Sequence, residues 1–370
     1  MSTTFCTLEE ALIGKWGQHV QSKKAQAIWR LPFSKSFQMV QGNGAGEKIS
    51  CESIHTVGSG FVAASFNGEV TFISGDSYFE GEVPVQEKPN FNHSVQVSQE
   101  GKAHFIEWVE KSILAIEDGQ FQKVVLSRID TVSNPQFQLY DAFLKLSGAY
   151  PNALVAAFYL PVDDSTWLCA TPEILVQQNA EGIFKTVSLA GTQSSLDQNG
   201  KERLVQEASW TQKEIEEQAF VSRYIIECFK RIRLREYIEN GPKTVLAGNL
   251  MHLKSEFIVD TKQLGITDLA PKMLEMLHPT SAVCGTPKEE AKAWIVQAEN
   301  HDREMYSGYL GPIGFNQEVH LFVNLRTVKL QNSLATFYAG CGITGDSLPE
   351  KEWEETNMKC KTLKGILMPS

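Results

Sequence analysis

Hydrophobic and polar positions alternate along this chain in two periods, and the switches between them predict its elements. Near the N-terminus Leu8 to Val20 has helical spacing, and Ala27 to Val40 and Ser53 to Phe72 read as short strands broken by glycine-rich turns. Pro84 to Ser98 reads as a loop. Phe105, Val109, Ile113 and Ile116 recur at helical spacing, so 101–119 is a helix ended by Asp118-Gly119. Phe121 to Ile129 is rich in β-branched residues and predicts a strand. A helix over Leu139 to Leu146 follows, then strands over Ala153–Leu160, Trp167–Gln177 and Ile183–Ala190. A helix over 201–237 comes after the polar turn Asp197-Gln-Asn-Gly. Beyond it lie a strand over Val245–Leu253, helices over Asp268–Leu277 and Glu289–Ala298, and one alternating strand over His320–Leu330. On that strand Leu325 shares a face with Val323 and Thr327, and Arg326 lies on the other with Asn324 and Val328. Asn332-Ser turns it into a last strand, in which Leu334, Thr336 and Tyr338 alternate with Ala335, Phe337 and Ala339.

That last strand runs through Gly340, Gly342 and Gly345 into a helix, with Ser347 expected as N-cap and Glu350 as its capping-box partner. Glu352, Glu355 and Lys359 then share one helical face. Such a face beside free backbone N–H groups suits an anion and a divalent cation, although an i, i+4 Glu–Lys pair is more often solvated surface. The same glycines fit a dinucleotide fingerprint, but that needs a βαβ unit and only a helix and short tail follow.

Other chemistry is carried by single residues set against apolar neighbours. Lys123 shares a strand face with Val125 and Ser127, and is either an edge lysine or a functional one. Glu173 interrupts an apolar strand and either faces solvent or is a desolvated carboxyl with raised pKa, suited to acid catalysis. Stepping back four residues from Val221 on the stripe Val221, Ile225, Cys228, Ile232 gives Glu217, a carboxylate in line with the buried face. Such a group must be paired or bind a metal. Arg326 offers a planar clamp for a carboxylate, though on a strand it is commonly just exposed.

Composition narrows the class. The chain has 370 residues, 42% hydrophobic and 21% charged, as a soluble globular protein does. Net charge is -10, which argues against a nucleic-acid or anionic-membrane partner. An acidic substrate must then be met by locally concentrated positive charge. Seven scattered cysteines without a CxxC suggest reduced thiols, and with no signal core or spanning run the expected location is the cytoplasm.

Several stretches occur in the order found in one family. They are Lys123-Val-Val-Leu-Ser-Arg128, Thr171-Pro-Glu173, Leu189-Ala-Gly-Thr192, Lys213-x-x-x-Glu217, His278-Pro-Thr, Gly285-x-Pro287, Arg303-x-x-Tyr306-x-Gly308, Leu325-Arg326, and Ala339-Gly-x-Gly-Ile with Glu352-Trp-x-Glu355-Thr-x-x-Lys359. The chain thereby resembles the chorismate-utilising enzymes, whose chorismate-binding domain is shared by isochorismate, salicylate, anthranilate and aminodeoxychorismate synthases. The match runs roughly over 101–365. The resemblance implies an α+β fold of two large, mostly antiparallel sheets packed together with helices outside and the site between them. It implies a catalytic region over 101–370, with residues 1–100 a variable N-terminal part of the same fold. It also implies Mg²⁺ held by Glu217 and Glu355, with Glu352 close by, against the ring carboxylate of chorismate. Gly191, Thr192 and His252 would help place the substrate. Tyr306, Arg326 and the backbone at Gly340 and Gly342 would hold the pyruvyl carboxylate, and Lys359 would add positive charge.

Within the family the nucleophile at C2 decides the product. Ammonia users generally carry Gln at the position of Lys123, and aminodeoxychorismate synthases carry Lys at that of Ala190. Salicylate synthases carry Thr at that of Ala282. The resemblance therefore implies an isochorismate synthase, serving menaquinone or siderophore biosynthesis, with Lys123 as base and Glu173 as acid. Salicylate synthase and anthranilate synthase component I are the alternatives. Gln218, where many relatives have His, and Asn324 depart from the pattern. A monomer with no obligatory glutaminase subunit is expected.

Overall fold

The computed structural model describes residues 3–85, 94–195, 203–247 and 250–368. The turn expected at Asp197-Gln-Asn-Gly and part of the loop expected over Pro84–Ser98 lie outside them. The strands are β1 (Thr3–Phe5), β2 (Gln26–Arg30), β3 (Ser36–Gln41), β4 (Glu47–Ile49), β5 (Gly60–Ala64), β6 (Val70–Ile73), β7 (Ser77–Glu82), β8 (Lys123–Ser133), β9 (Leu154–Leu160), β10 (Ser165–Thr171), β11 (Ile174–Gln178), β12 (Ile183–Ser194), β13 (Ile238–Ala247), β14 (Leu250–Asp260), β15 (Gly285–Thr286), β16 (Tyr309–Ile313), β17 (Val319–Val323), β18 (Thr327–Gln331) and β19 (Leu334–Ile343). The helices are α1 (Trp16–Gln21), α2 (Lys102–Glu117), α3 (Leu139–Ala149), α4 (Gln212–Arg231), α5 (Leu269–Leu277), α6 (Lys288–Ala298) and α7 (Pro349–Leu367).

The strands form two sheets, ordered β1-β7-β3-β2-β9-β10-β18-β19-β8-β15 and β13-β14-β12-β11-β17-β16-β5-β6-β4. Pairing is antiparallel except between β1 and β7. Period-two alternation sends Trp29, Phe158 and Trp167 into the core between the sheets, with Phe61 and Phe322 opposite. Ile28, Ala157 and Leu168 point the other way, against α3 and α7. On the second sheet α4 and α5 cover the outer face. Both faces of the central strands are therefore covered, and β9 and β10 read as continuous apolar runs for that reason. The seven cysteines are unpaired.

In two places a run that the sequence predicts as one strand changes sheets partway. The run Trp167–Gln177 breaks at Pro172-Glu173, with β10 in the first sheet and β11 in the second. The run His320–Leu330 breaks at Asn324-Leu325-Arg326, with β17 in the second sheet and β18 in the first. The cause at the second break is Arg326, whose φ of 47° ends the pleat and cancels the face expected from alternation. The two crossings run side by side. Val323 N–H donates to Glu173 O at 2.9 Å and Ala170 N–H to Arg326 O at 3.1 Å.

Other boundaries shift for local reasons. The helix expected over 201–237 is α4, because Thr211 and Glu214 form a capping box at its start and Arg233, at φ 61°, lies beyond its end. The strand expected over Val245–Leu253 is the end of β13 and the start of β14. Ser347 does not cap α7. Its hydroxyl accepts from Thr344 N–H, Leu348 is the N-cap and Pro349 opens the helix.

Candidate active site

A cavity partly open to solvent lies between the sheets beside the two crossings. β8 brings Lys123 to it with a side chain only 2% exposed, so the edge-lysine alternative is excluded. Its room comes from β19. A Cβ at Gly342 would stand 2.8 Å from Lys123 Cε and 3.1 Å from Glu217 Oε1, so glycine there lets the lysine and the carboxylate approach. Glu217 reaches the cavity from the buried face of α4, as its place on the apolar stripe predicts. Glu173 comes from the first crossing and is buried, not solvent-facing.

Charge at this site is dense and mostly buried. Burial lowers the Lys123 pKa, with Glu217 opposing. Burial raises Glu173 to about 8 against the charges of Lys123, Lys359 and Arg326. Burial, with the Glu355 charge adding to it, pushes Glu217 up. Burial would raise Glu355 too, but Lys359 and Lys213 outweigh it and hold it low. Lys359 Nζ lies 2.8 Å from Glu355 Oε1 and donates to Gly340 O at 2.8 Å. Both line the cavity, so this pair is not a solvated surface face.

Gly191, at φ 68°, turns its carbonyl towards His252, whose Nδ1 lies 2.8 Å away. Gly191, His252, Tyr306, Arg326, Gly340 and Gly342 all line the cavity. Thr192 continues β12, but its side chain is outside the described residues. Glu352 does not line the cavity. It is buried behind it, with Oε1 2.5 Å from Lys213 Nζ. Lys213 also stands 3.7 Å from Glu217 and joins the two carboxylates; its i, i+4 spacing from Glu217 was the signal in the sequence. Tyr338 also lines the cavity and stacks between Trp167 and Tyr306, a role that strand alternation alone does not reveal.

Among the described residues no three His, Cys, Asp or Glu side chains form a ready metal cage. The donors nevertheless fit a hard cation that keeps waters and takes one or two carboxylates plus its substrate. Glu217 and Glu355 face one cavity with like charge, and Glu352 Oε2 is buried without a partner.

Comparison with known proteins adds a family. The family described as chorismate binding enzyme matches residues 76–368. Isochorismate synthase DhbC of Bacillus subtilis is 25% identical over 290 residues, covering 74% of this chain and 72% of that protein. Anthranilate synthase component 1 of Bacillus pumilus is 28% identical over 286 residues, covering 75% of this chain but only 53% of that protein. The crystal structure of DhbC from Bacillus anthracis, described as a putative 2,3-dihydroxybenzoate-specific isochorismate synthase, superposes with a TM-score of 0.77 at 23% identity, over 94% of this chain and 98% of that one. It shares the fold of two large antiparallel sheets with outer helices that the sequence led us to expect.

Proposed function

This chain belongs to the family of chorismate-binding enzymes, and from that premise we propose that it is an isochorismate synthase. The observation that carries the reading is Lys123 and Glu173 on one cavity, shifted in opposite directions by burial. A lysine held towards its neutral form can take a proton, and a carboxyl held protonated can give one. Lys123 Nζ removes a proton from water as the water oxygen bonds to C2 of the ring. Both ring double bonds shift by one bond in relay, the C4–O bond breaks, and Glu173 protonates the departing hydroxyl, which leaves as water. Glu217 and Glu355 would hold Mg²⁺, which when bound neutralises the ring carboxylate. Arg326 and Tyr306 face the pyruvyl carboxylate, so a dianion is held by local positive charge inside an acidic protein.

The similarity to anthranilate synthase component 1 favours ammonia as the rival nucleophile. The test is to incubate the purified chain with chorismate and Mg²⁺, with and without ammonium, and identify products by mass and chromatography. Isochorismate alone supports the reading. Salicylate with pyruvate, or an aminated product that needs ammonium, replaces it. The quinone and siderophore pathways share this step, and we assign neither.

A further inference from the structure

Arg326 occupies a backbone conformation that favours glycine, at the point where β17 becomes β18. Its guanidinium carbon lies 5.4 Å from the centre of the Tyr150 ring, and its Nη2 lies 2.7 Å from His252 Nε2. Arginine can only donate, so His252 Nε2 accepts. The imidazole proton is then on Nδ1, where it is donated to Gly191 O at 2.8 Å. The partners alone fix this tautomer. Both ring nitrogens are engaged, although the ring lines the cavity. Tyr150 is fully buried, does not line the cavity, and donates its hydroxyl to Thr362 O on α7 at 3.2 Å. Burial and the Arg326 charge keep His252 neutral, with its pKa lowered to about 3.

We propose that His252 and Tyr150 are positioning residues that serve the substrate only through Arg326, aiming its guanidinium at one carboxylate and tying it to the Gly191 turn. The inference rests on the reading of the cavity as a chorismate site. A neutral imidazole suits the task, because it orients the guanidinium without adding a charge that competes with the substrate.

A double-mutant cycle on chorismate affinity, measured by calorimetry with Mg²⁺ present, tests it. His252→Ala should weaken binding about tenfold and Arg326→Ala more. The double variant should be no weaker than Arg326→Ala alone, because His252 then has nothing to aim. His252→Gln, whose amide oxygen can accept from Arg326, should recover most of the loss. Should His252→Ala fail to fold, His252→Phe, which keeps a ring but offers Arg326 no acceptor, carries the cycle in the two Arg326 backgrounds. Losses that multiply in the double variant would overturn the clamp, as would a Gln variant no better than Ala. Wild-type protein that does not bind chorismate would instead overturn the functional reading beneath it, a result the cycle cannot mimic.

Discussion

Burial does opposite things to Lys123 and Glu173, and the pH behaviour of the molecule follows. Turnover should fall on the acid side as Lys123 gains its proton, and on the alkaline side through about 8 as Glu173 loses its own. A pH–rate profile with no alkaline limb near that value would remove Glu173 as the acid. Stability has a sign of its own. The folded pKa of Glu173 is raised, so its contribution is full below the unfolded value and is lost as pH rises through the folded one. Glu173→Gln should therefore gain stability relative to wild type as pH rises from the ordinary carboxyl range to about 8, by at most ~1.4 kcal/mol per pH unit and no further above it, while losing activity. A stability difference flat in pH would contradict a carboxyl held protonated by burial. Lys123→Gln should lose at least about a hundredfold in kcat yet still bind chorismate. At this scale the sequence was informative where one side chain sat on an apolar stripe, as Glu217 does. It was silent where partners come from afar. Glu352 shares the face of Glu355 in the helical pattern, yet Lys213 draws it away from the cavity.

The two strand pairs that change sheets side by side make the site an affair of breaks rather than of strands. Glu173 and Arg326 stand on adjacent breaks, and β19 supplies glycines where side chains would block. Gly342→Ala should displace the Lys123 amine and cost at least about tenfold in kcat with a modest loss of melting temperature. Unchanged kcat would mean Lys123 has slack that the packing denies. Alternation could not reveal these breaks. A strand that leaves one sheet for another keeps its period of two in sequence, and only the positive φ at Arg326 resets it. The capping box at Thr211 and Glu214 went unread in the sequence, and the helix is shorter than its apolar pattern suggests for that reason. At Ser347 the same signal was spent on a turn.

Over the whole molecule, both sheets share strand pairs that cross from one to the other, so neither sheet is a separate unit. Tryptophans lie from Trp16 to Trp353 along the chain. Urea unfolding followed by their fluorescence and by backbone circular dichroism should therefore give coincident transitions. Two separated midpoints would show that one sheet melts alone. The fold class was legible because ordered motifs spread over most of the chain resemble one family, whereas residues 1–100 gave only scattered strands. Those strands are divided between the two sheets, a distribution that local pattern does not encode. The long reach of one pairing has a consequence for biosynthesis. Ser127 pairs with Gly340, across more than half of the chain. A polypeptide leaving the ribosome presents Lys123 long before the strand that walls it in has been translated. The cavity closes only once β19 and α7 have been made, so a molecule cut before them should have no partial activity.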